Sequence, residues 1–179
     1  MVDPLQRKIW AHRAMFVAVA LMLMFLRLLP LGSQAGQWPG PDFLLCVIFV
    51  WVIRRPDYLP TLLIVLVVLV EDFVLMRPPG LWSALVLMAT EFLRSRAALT
   101  RELSFAVEWL LVGALMLAML LGYRLAFAIT FMPQPGFGFA MVQTLGTIVC
   151  YPVLVGLSRV ALGVRKPAMG EVDAFGRRL

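Results

Sequence analysis

Residues 43–56, FLLCVIFVWVIRRP, decide how many times this chain crosses a membrane. The apolar run Phe43–Ile53 stands between Pro41 and Pro56. As a helix this run is only about 17 Å long, whereas the hydrocarbon core of a bilayer is roughly 30 Å thick. To span, it must use flanking residues, thin the membrane locally or be sheltered by neighbouring helices. Whether this run crosses the membrane also decides on which side Arg54 and Arg55 lie.

The composition on either side of this run is that of a membrane protein. Of 179 residues, 62% are hydrophobic and only 15% are charged, and the mean hydropathy is +0.92. A soluble globular domain has more charge and fewer apolar residues. At about 20 residues per span, the length accommodates five or six helices. We therefore predict an all-α, polytopic integral membrane bundle.

Turn residues and prolines divide the chain into six apolar segments. Residues 1–163 are predicted to form one six-helix transmembrane domain. Residues 164–179 are predicted to be a flexible cytoplasmic tail whose basic residues contact anionic membrane lipids. The predicted helices are Ala14–Leu31, Phe43–Ile53, Leu59–Met76, Gly80–Leu93, Leu103–Met132 and Phe139–Gly163.

Basic residues predict the orientation of these helices. With six spans, 13 of the 16 lysines and arginines fall on one side, and the opposite connections 32–42 and 133–138 contain none. By the positive-inside rule, both termini are cytoplasmic. Omitting the short second span would place Arg54 and Arg55 outside, so the charge pattern supports that span. The net charge of +6 thus indicates topology rather than nucleic-acid binding.

The first segment has features of a cleavable signal peptide. Arg7 and Lys8 precede an apolar stretch, and Ser33-Gln34-Ala35 has the small residues of a cleavage site. Against cleavage, Arg27 interrupts the stretch, which is long for a signal peptide. We therefore expect the first helix to be retained.

Charged residues inside the predicted spans form two layers. Two interpretations of the outer layer stay open: the charges pair with one another, or Asp72, Glu71 and Arg124 line a pocket or docking surface open to the outside. Adjacent residues point about 100° apart on a helix, so Glu71 and Asp72 cannot both face one partner squarely. The outer layer contains Arg27, Glu71, Asp72, Arg77 and Arg124. The inner layer contains Glu91 and Glu108, which can pair with Arg54, Arg94 or Arg101.

Small residues recur every four positions on the fifth helix. Ala114, Ala118, Gly122 and Ala126 form a row that lets another helix approach closely. The row serves either packing within the bundle or contact with the transmembrane helix of a partner protein.

The sequence offers little for catalysis. The only histidine, His12, lies in the basic amino-terminal arm, and no HExxH, GxSxG, CxxCH or glycine-rich phosphate loop occurs. Asp72 has no second buried aspartate with which to share a proton. Cys46 and Cys150 are not in a CxxC pair, and we expect free thiols. We predict a non-enzymatic protein without metal or cofactor.

Several short motifs in this order resemble the MreD family of bacterial rod-shape-determining membrane proteins. Asp72 and Gly80 match an aspartate and a glycine of the family, whereas Val68 and Glu71 depart from its usual glycine and apolar residue. The match implies that Asp72, rather than Glu71, points inward. The other matching stretches are Pro41-Asp42-Phe43-Leu44-Leu45, Val50-Trp51, Arg55-Pro56, Tyr151-Pro152 and Arg159.

The resemblance implies a scaffold of the cell-elongation machinery in the bacterial inner membrane. Members are thought to bind MreC and, through it, the RodA glycosyltransferase, its class B transpeptidase partner and the MreB filament system. The family fold is similar to the substrate-capture subunits of vitamin importers, which bind ligands near the outer face. A small-molecule or lipid-precursor binding subunit therefore stays open as the alternative. A pocket of a few hundred Å³ would favour that alternative.

Overall fold

The computed structural model describes residues 4–29, 39–96, 104–131 and 136–161, and within them the chain is all-helical without strands. Six α-helices follow one another, and a short 3₁₀ turn, Pro56–Tyr58, connects the second to the third. They are α1 (Pro4–Leu28), α2 (Phe43–Arg54), α3 (Thr61–Val74), α4 (Leu81–Ser95), α5 (Phe105–Ile129) and α6 (Phe137–Ala161).

The helices fall into two length classes. Within the described residues, three stretches are long and apolar enough to cross a membrane: Gln6–Leu28, Phe105–Ile129 and Phe137–Val160. They give the chain the character of a membrane protein. The other three helices, α2 to α4, have only 12, 14 and 15 residues. The six predicted helices are thus present, and three of them have the length and apolarity of a span.

The short helix α2 lies at the centre of the bundle. It begins where it does because Asp42 caps it, with the side chain accepting the N–H of Leu45 at 3.1 Å. Every residue from Leu44 to Arg54 is buried, mainly against α6 and α4. Of the three ways to accommodate so short an apolar helix, the structure uses shelter by neighbouring helices.

Contacts between side chains show that α1 to α3 alternate in direction. Arg27 near the end of α1 contacts Asp42 at the start of α2 and Glu71 near the end of α3. At the opposite end of the bundle, His12 of α1 stacks on Tyr58 just after α2, with ring centroids 4.2 Å apart. We call these the Asp42 end and the Arg54 end.

A proline inside α6 determines one of the contacts between α5 and α6. Pro152 has no N–H, so the carbonyl of Ile148, four residues earlier, lacks its helical donor. The indole Nε1 of Trp109 donates to that carbonyl at 2.8 Å. One turn further into α5, a Cβ on Gly113 would lie 3.3 Å from Ile148 Cγ2, which shows how closely the two helices approach.

The first helix begins well before its predicted start. α1 begins at Pro4 rather than Ala14, so the basic amino-terminal arm is the first part of the helix. α5 is one helix through Gly122-Tyr123-Arg124, in agreement with the predicted segment Leu103–Met132. The predicted cleavage site at 33–35 and the predicted tail 164–179 lie outside the described residues.

Candidate functional site

A cluster of charged side chains joins three segments at the Asp42 end. Glu71 is buried, and its Oε1 lies 2.8 Å from Arg27 Nη1 and 3.6 Å from Arg77 Nη2. Arg27 also reaches Asp42 Oδ2 at 3.4 Å. We call Arg27, Asp42, Glu71 and Arg77 the Glu71 cluster. It confirms that charges predicted for the outer layer pair with one another, and it links α1, α2 and α3.

Asp72 makes different contacts from those of the adjacent Glu71. Its Oδ2 accepts the backbone N–H groups of Gly80 at 3.1 Å and Ser83 at 3.3 Å, and the Ser83 hydroxyl at 2.8 Å. These groups belong to the start of α4, where free N–H groups favour a negative charge. Both Glu71 and Asp72 are buried, so inward orientation does not distinguish them. Adjacent positions on α3 instead bring them to different partners.

A second buried cluster lies at the Arg54 end. Glu108, on the first turn of α5, accepts from Arg54 Nη1 at 2.8 Å and from the Tyr151 hydroxyl at 2.9 Å. We call these three residues the Glu108 cluster. All three side chains are buried, so the contacts connect α2, α5 and α6 away from water. As predicted, the inner-layer glutamate is paired with an arginine.

The other inner-layer glutamate, Glu91, takes part in a more exposed group. Its Oε1 accepts the hydroxyl of Thr61 at 2.7 Å and lies 3.6 Å from Arg94 Nη1. Arg94 also donates to Thr61 Oγ1 at 2.8 Å and to the carbonyl of Leu59. This group joins the start of α3 to the end of α4.

A cavity of about 240 Å³ lies beside the Glu71 cluster. Its wall combines guanidinium groups with apolar and aromatic side chains of α2, α4, α5 and α6 and with the polar side chains of Gln143, Thr144 and Thr147. The charged lining residues are Arg27, Arg77, Arg124 and Asp42. The aromatic lining residues are Trp82, Tyr123, Phe127 and Phe139, and the aliphatic ones include Leu45, Met116 and Leu120. An apolar pocket with a few convergent polar groups is the usual form of a ligand site.

Only some of the predicted pocket residues line this cavity. Arg27 and Arg124 line the cavity, whereas Glu71 and Asp72 do not. This cavity is therefore not the pocket lined by Asp72, Glu71 and Arg124 that the sequence left open as one alternative. Arg27 and Arg77 lie against Glu71, and Oδ2 of Asp72 accepts hydrogen bonds from the start of α4.

The row of small residues on α5 is also divided. Ala114 and Ala118 are exposed, whereas Gly122 is half-buried, and a Cβ on it would lie 3.2 Å from Leu85 Cδ2. Packing within the bundle therefore uses the Gly122 end of the row against α4. The Ala114–Ala118 part faces outward.

The sequence analysis placed neither Asp42 nor Tyr151 of these clusters, nor Thr147 beside Asp42, in a charged layer or at a site. The position of Asp42 does have a sequence signal, because an aspartate directly before an apolar run is a typical helix cap. Thr147 accepts the N–H of Asp42 at 2.8 Å, and Tyr151 binds Glu108. Neither α6 contact has a local sequence signal, since the partners are 105 and 43 residues apart.

Metal ligands and thiols add nothing to this site. Among the described residues, no group of three or more histidine, cysteine, aspartate or glutamate side chains is placed to hold a metal ion. Cys46 and Cys150 are free thiols, as predicted.

No protein-family model, curated protein or solved structure matches the chain significantly.

Proposed function

We propose that this protein is a non-enzymatic scaffold of the MreD type in the cell-elongation machinery of a rod-shaped bacterium. In this role it binds the single-span protein MreC and links it to RodA, to the class B transpeptidase and to the MreB filament system. It lies in the inner membrane with six spans and both termini cytoplasmic. The proposal rests on the sequence resemblance and on the contacts that the resembling residues make.

The observation that carries the proposal is the hydrogen bond between Asp72 and Gly80. These two residues match the MreD pattern, and they meet at 3.1 Å. Gly80 has φ = +93°, which a residue with a side chain adopts only at a cost. The presence of both residue types therefore has a physical reason, since Asp72 closes the turn that Gly80 makes possible.

The buried charges support a scaffold rather than a catalyst. Glu71 and Glu108 are each held by an arginine from another helix, at 2.8 Å in both cases. Such pairs fix the arrangement of helices that a docking protein must present. Breaking them would leave a buried charge without a partner, which is strongly destabilising.

The outward part of the α5 row is the surface proposed for the transmembrane helix of MreC. Ala114 and Ala118 are exposed between large exposed apolar side chains, Leu110 and Leu121. In lipid, helix association depends on close backbone approach, which small residues allow. Our proposal commits to a single-span partner because its one helix needs only one such row.

Co-purification tests the proposal. The protein is solubilised in mild detergent, purified by a carboxy-terminal tag and examined by mass spectrometry for MreC and cell-wall synthases. Ala118→Leu is expected to abolish recovery of MreC while leaving the melting temperature unchanged. Ala106→Leu, also exposed on α5 but outside the row, is the matched control. Absence of MreC from the unmodified protein's preparation would refute the scaffold, and equal recovery with both variants would refute this docking surface.

The cavity at the Asp42 end favours a second candidate function, the ligand-capture subunit of an importer. Its 240 Å³ volume approaches the few hundred Å³ of small-molecule sites, and arginines line it. Recovery of an ATPase and transporter subunits in the same preparation, instead of MreC, would support this second candidate.

A further inference from the structure

The arginines of the cavity are the basic residues that the orientation rule leaves unexplained. Thirteen of the 16 lysines and arginines lie in segments predicted for one side of the membrane. The other three are Arg27, Arg77 and Arg124, and all three line the cavity at the Asp42 end. They come from α1, from the connection after α3 and from α5. Cations are costly to place at that depth, so three arginines around one cavity favour an anionic ligand there.

The accessible charge of this wall is positive. The side chains of Arg27 and Arg77 are 29% and 18% exposed, whereas those of their partners Asp42 and Glu71 are 9% and 3% exposed. Glu71 thus lies behind the guanidinium groups, whereas Asp42 lines the cavity with little of its carboxylate exposed. Asp42 is also occupied as the cap of α2. Arg124 lies over the ring of Phe137, with its Cζ 5.1 Å from the centroid. A ligand entering the cavity therefore meets guanidinium groups first.

The apolar part of the wall extends away from the arginines. Met116 and Arg124 both line the cavity and are eight residues apart on α5, which corresponds to about 12 Å along the helix. Leu45 and Leu120 line the same stretch. Phe139 lines the cavity and is itself 52% exposed, so the cavity reaches the surface of the bundle beside α6. A small hydrophilic anion would leave this apolar stretch unused, whereas a hydrocarbon chain fits it.

We propose that the cavity binds an anionic phospholipid, with the phosphate among Arg27, Arg77 and Arg124 and part of one chain along the apolar wall. Guanidinium groups bind phosphate oxygens in a planar, two-bond geometry, and a phosphate has enough oxygens for several arginines. The volume of 240 Å³ accommodates the phosphate and the first part of a chain, and the rest lies outside beyond Phe139. The inference deepens the second candidate function, resting only on its premise that the cavity holds a ligand.

Native mass spectrometry of the delipidated protein in detergent measures this binding. The probes are phosphatidylglycerol, phosphatidylcholine with the same acyl chains, and inorganic phosphate as a competitor. We expect one saturable phosphatidylglycerol, bound at least about tenfold more tightly than phosphatidylcholine, and no displacement by millimolar phosphate. Equal affinity for the two lipids, or binding of many copies without saturation, would overturn the proposal. Displacement by phosphate would overturn it as well, because the ligand would then be a soluble anion.

Two pairs of variants locate the lipid. Arg124→Gln should weaken phosphatidylglycerol at least about tenfold, because a charge-assisted contact contributes that much. Arg96→Gln, an exposed arginine at the end of α4, is the control for lost charge. Ala140→Phe fills the cavity without removing a contact, and Ala106→Phe is its exposed control. Unchanged binding in Ala140→Phe would overturn the proposal even if Arg124→Gln failed to fold. If the lipid binds but no transporter subunits co-purify, the importer function is refuted and lipid binding stands. If transporter subunits co-purify but the lipid does not bind, lipid binding alone is refuted.

Discussion

The carboxylate of Asp72 accepts the backbone N–H of Gly80 at 3.1 Å, so a residue near the end of α3 closes the turn that leads into α4. The same oxygen also accepts the N–H and the hydroxyl of Ser83. One buried side chain thereby satisfies several donors at the start of a helix, where no intrahelical acceptor exists. This connection joins two short helices, α3 and α4, that pack against each other.

Replacing Asp72 should destabilise the protein through these lost hydrogen bonds. We expect Asp72→Ala to reduce the free energy of unfolding by about 1–3 kcal/mol and to lower yield. Asp72→Asn keeps an acceptor oxygen and should lose less than about 1 kcal/mol. Thermal unfolding in detergent micelles measures both. An Asn variant as unstable as the Ala variant would show that charge, rather than the helix cap, is what matters.

Glycine-to-alanine substitutions at two open positions should have opposite effects. Neither Gly80 nor Gly156 has an atom within 4 Å of the position of an added Cβ, so sterics are matched. Gly80 has φ = +93°, and alanine there should cost about 1–2 kcal/mol. Gly156 lies within α6, where alanine should stabilise the helix by about 0.5–1 kcal/mol. Melting temperatures that move in the same direction would contradict this account.

The hydrogen bond from Trp109 should matter only while Pro152 is present. Trp109→Phe removes the donor to the Ile148 carbonyl and should cost about 1–3 kcal/mol. In a Pro152→Ala background, a backbone N–H can bond to that carbonyl, so the same substitution should cost less. The difference between the two costs is obtained from a double-mutant cycle of unfolding free energies. A difference of zero would show that the indole and the proline are independent.

The pair of Arg54 and Glu108 should be far more sensitive to loss of one partner than of both. Their side chains are 7% and 0% exposed. Glu108→Leu alone should cost about 3–5 kcal/mol, because it leaves a buried arginine without its carboxylate. Adding Arg54→Met should recover much of that loss. Glu91→Leu, at a carboxylate 49% exposed, is the control and should cost less than about 1 kcal/mol. A double variant no better than the single one would contradict the prediction.

The predicted orientation is tested by introduced cysteines and a membrane-impermeant maleimide on intact cells. Gln134→Cys should react, because the connection after α5 is predicted to lie outside. Asp57→Cys should react only after permeabilisation, because six spans place it with the cytoplasmic arginines. The unmodified protein, whose Cys46 and Cys150 lie within helices, gives the background. Reaction of Asp57→Cys on intact cells would mean that α2 does not cross the membrane.

Much of the architecture is predictable because helices in lipid must satisfy their own backbone. Apolar runs ended by proline and glycine therefore gave six helices, most of them within two or three residues of their observed ends. The start of α1 was missed because its polar first turns carry no apolar signal. Pairing of the inner-layer glutamates was also predictable, since a buried carboxylate needs a cation and several arginines lay at the same depth.

Sequence by itself determined the all-helical class, the presence of long apolar helices and which charged residues lie within the predicted spans. Only tertiary structure decided which charges meet. Helical spacing gives the direction of a side chain relative to its own helix, whereas partners on other helices depend on how the bundle packs. That packing brought Glu71 and Asp72 to different partners. It left Ala114 and Ala118 on the outside of the bundle. It also placed Arg27, Arg77 and Arg124 around one cavity.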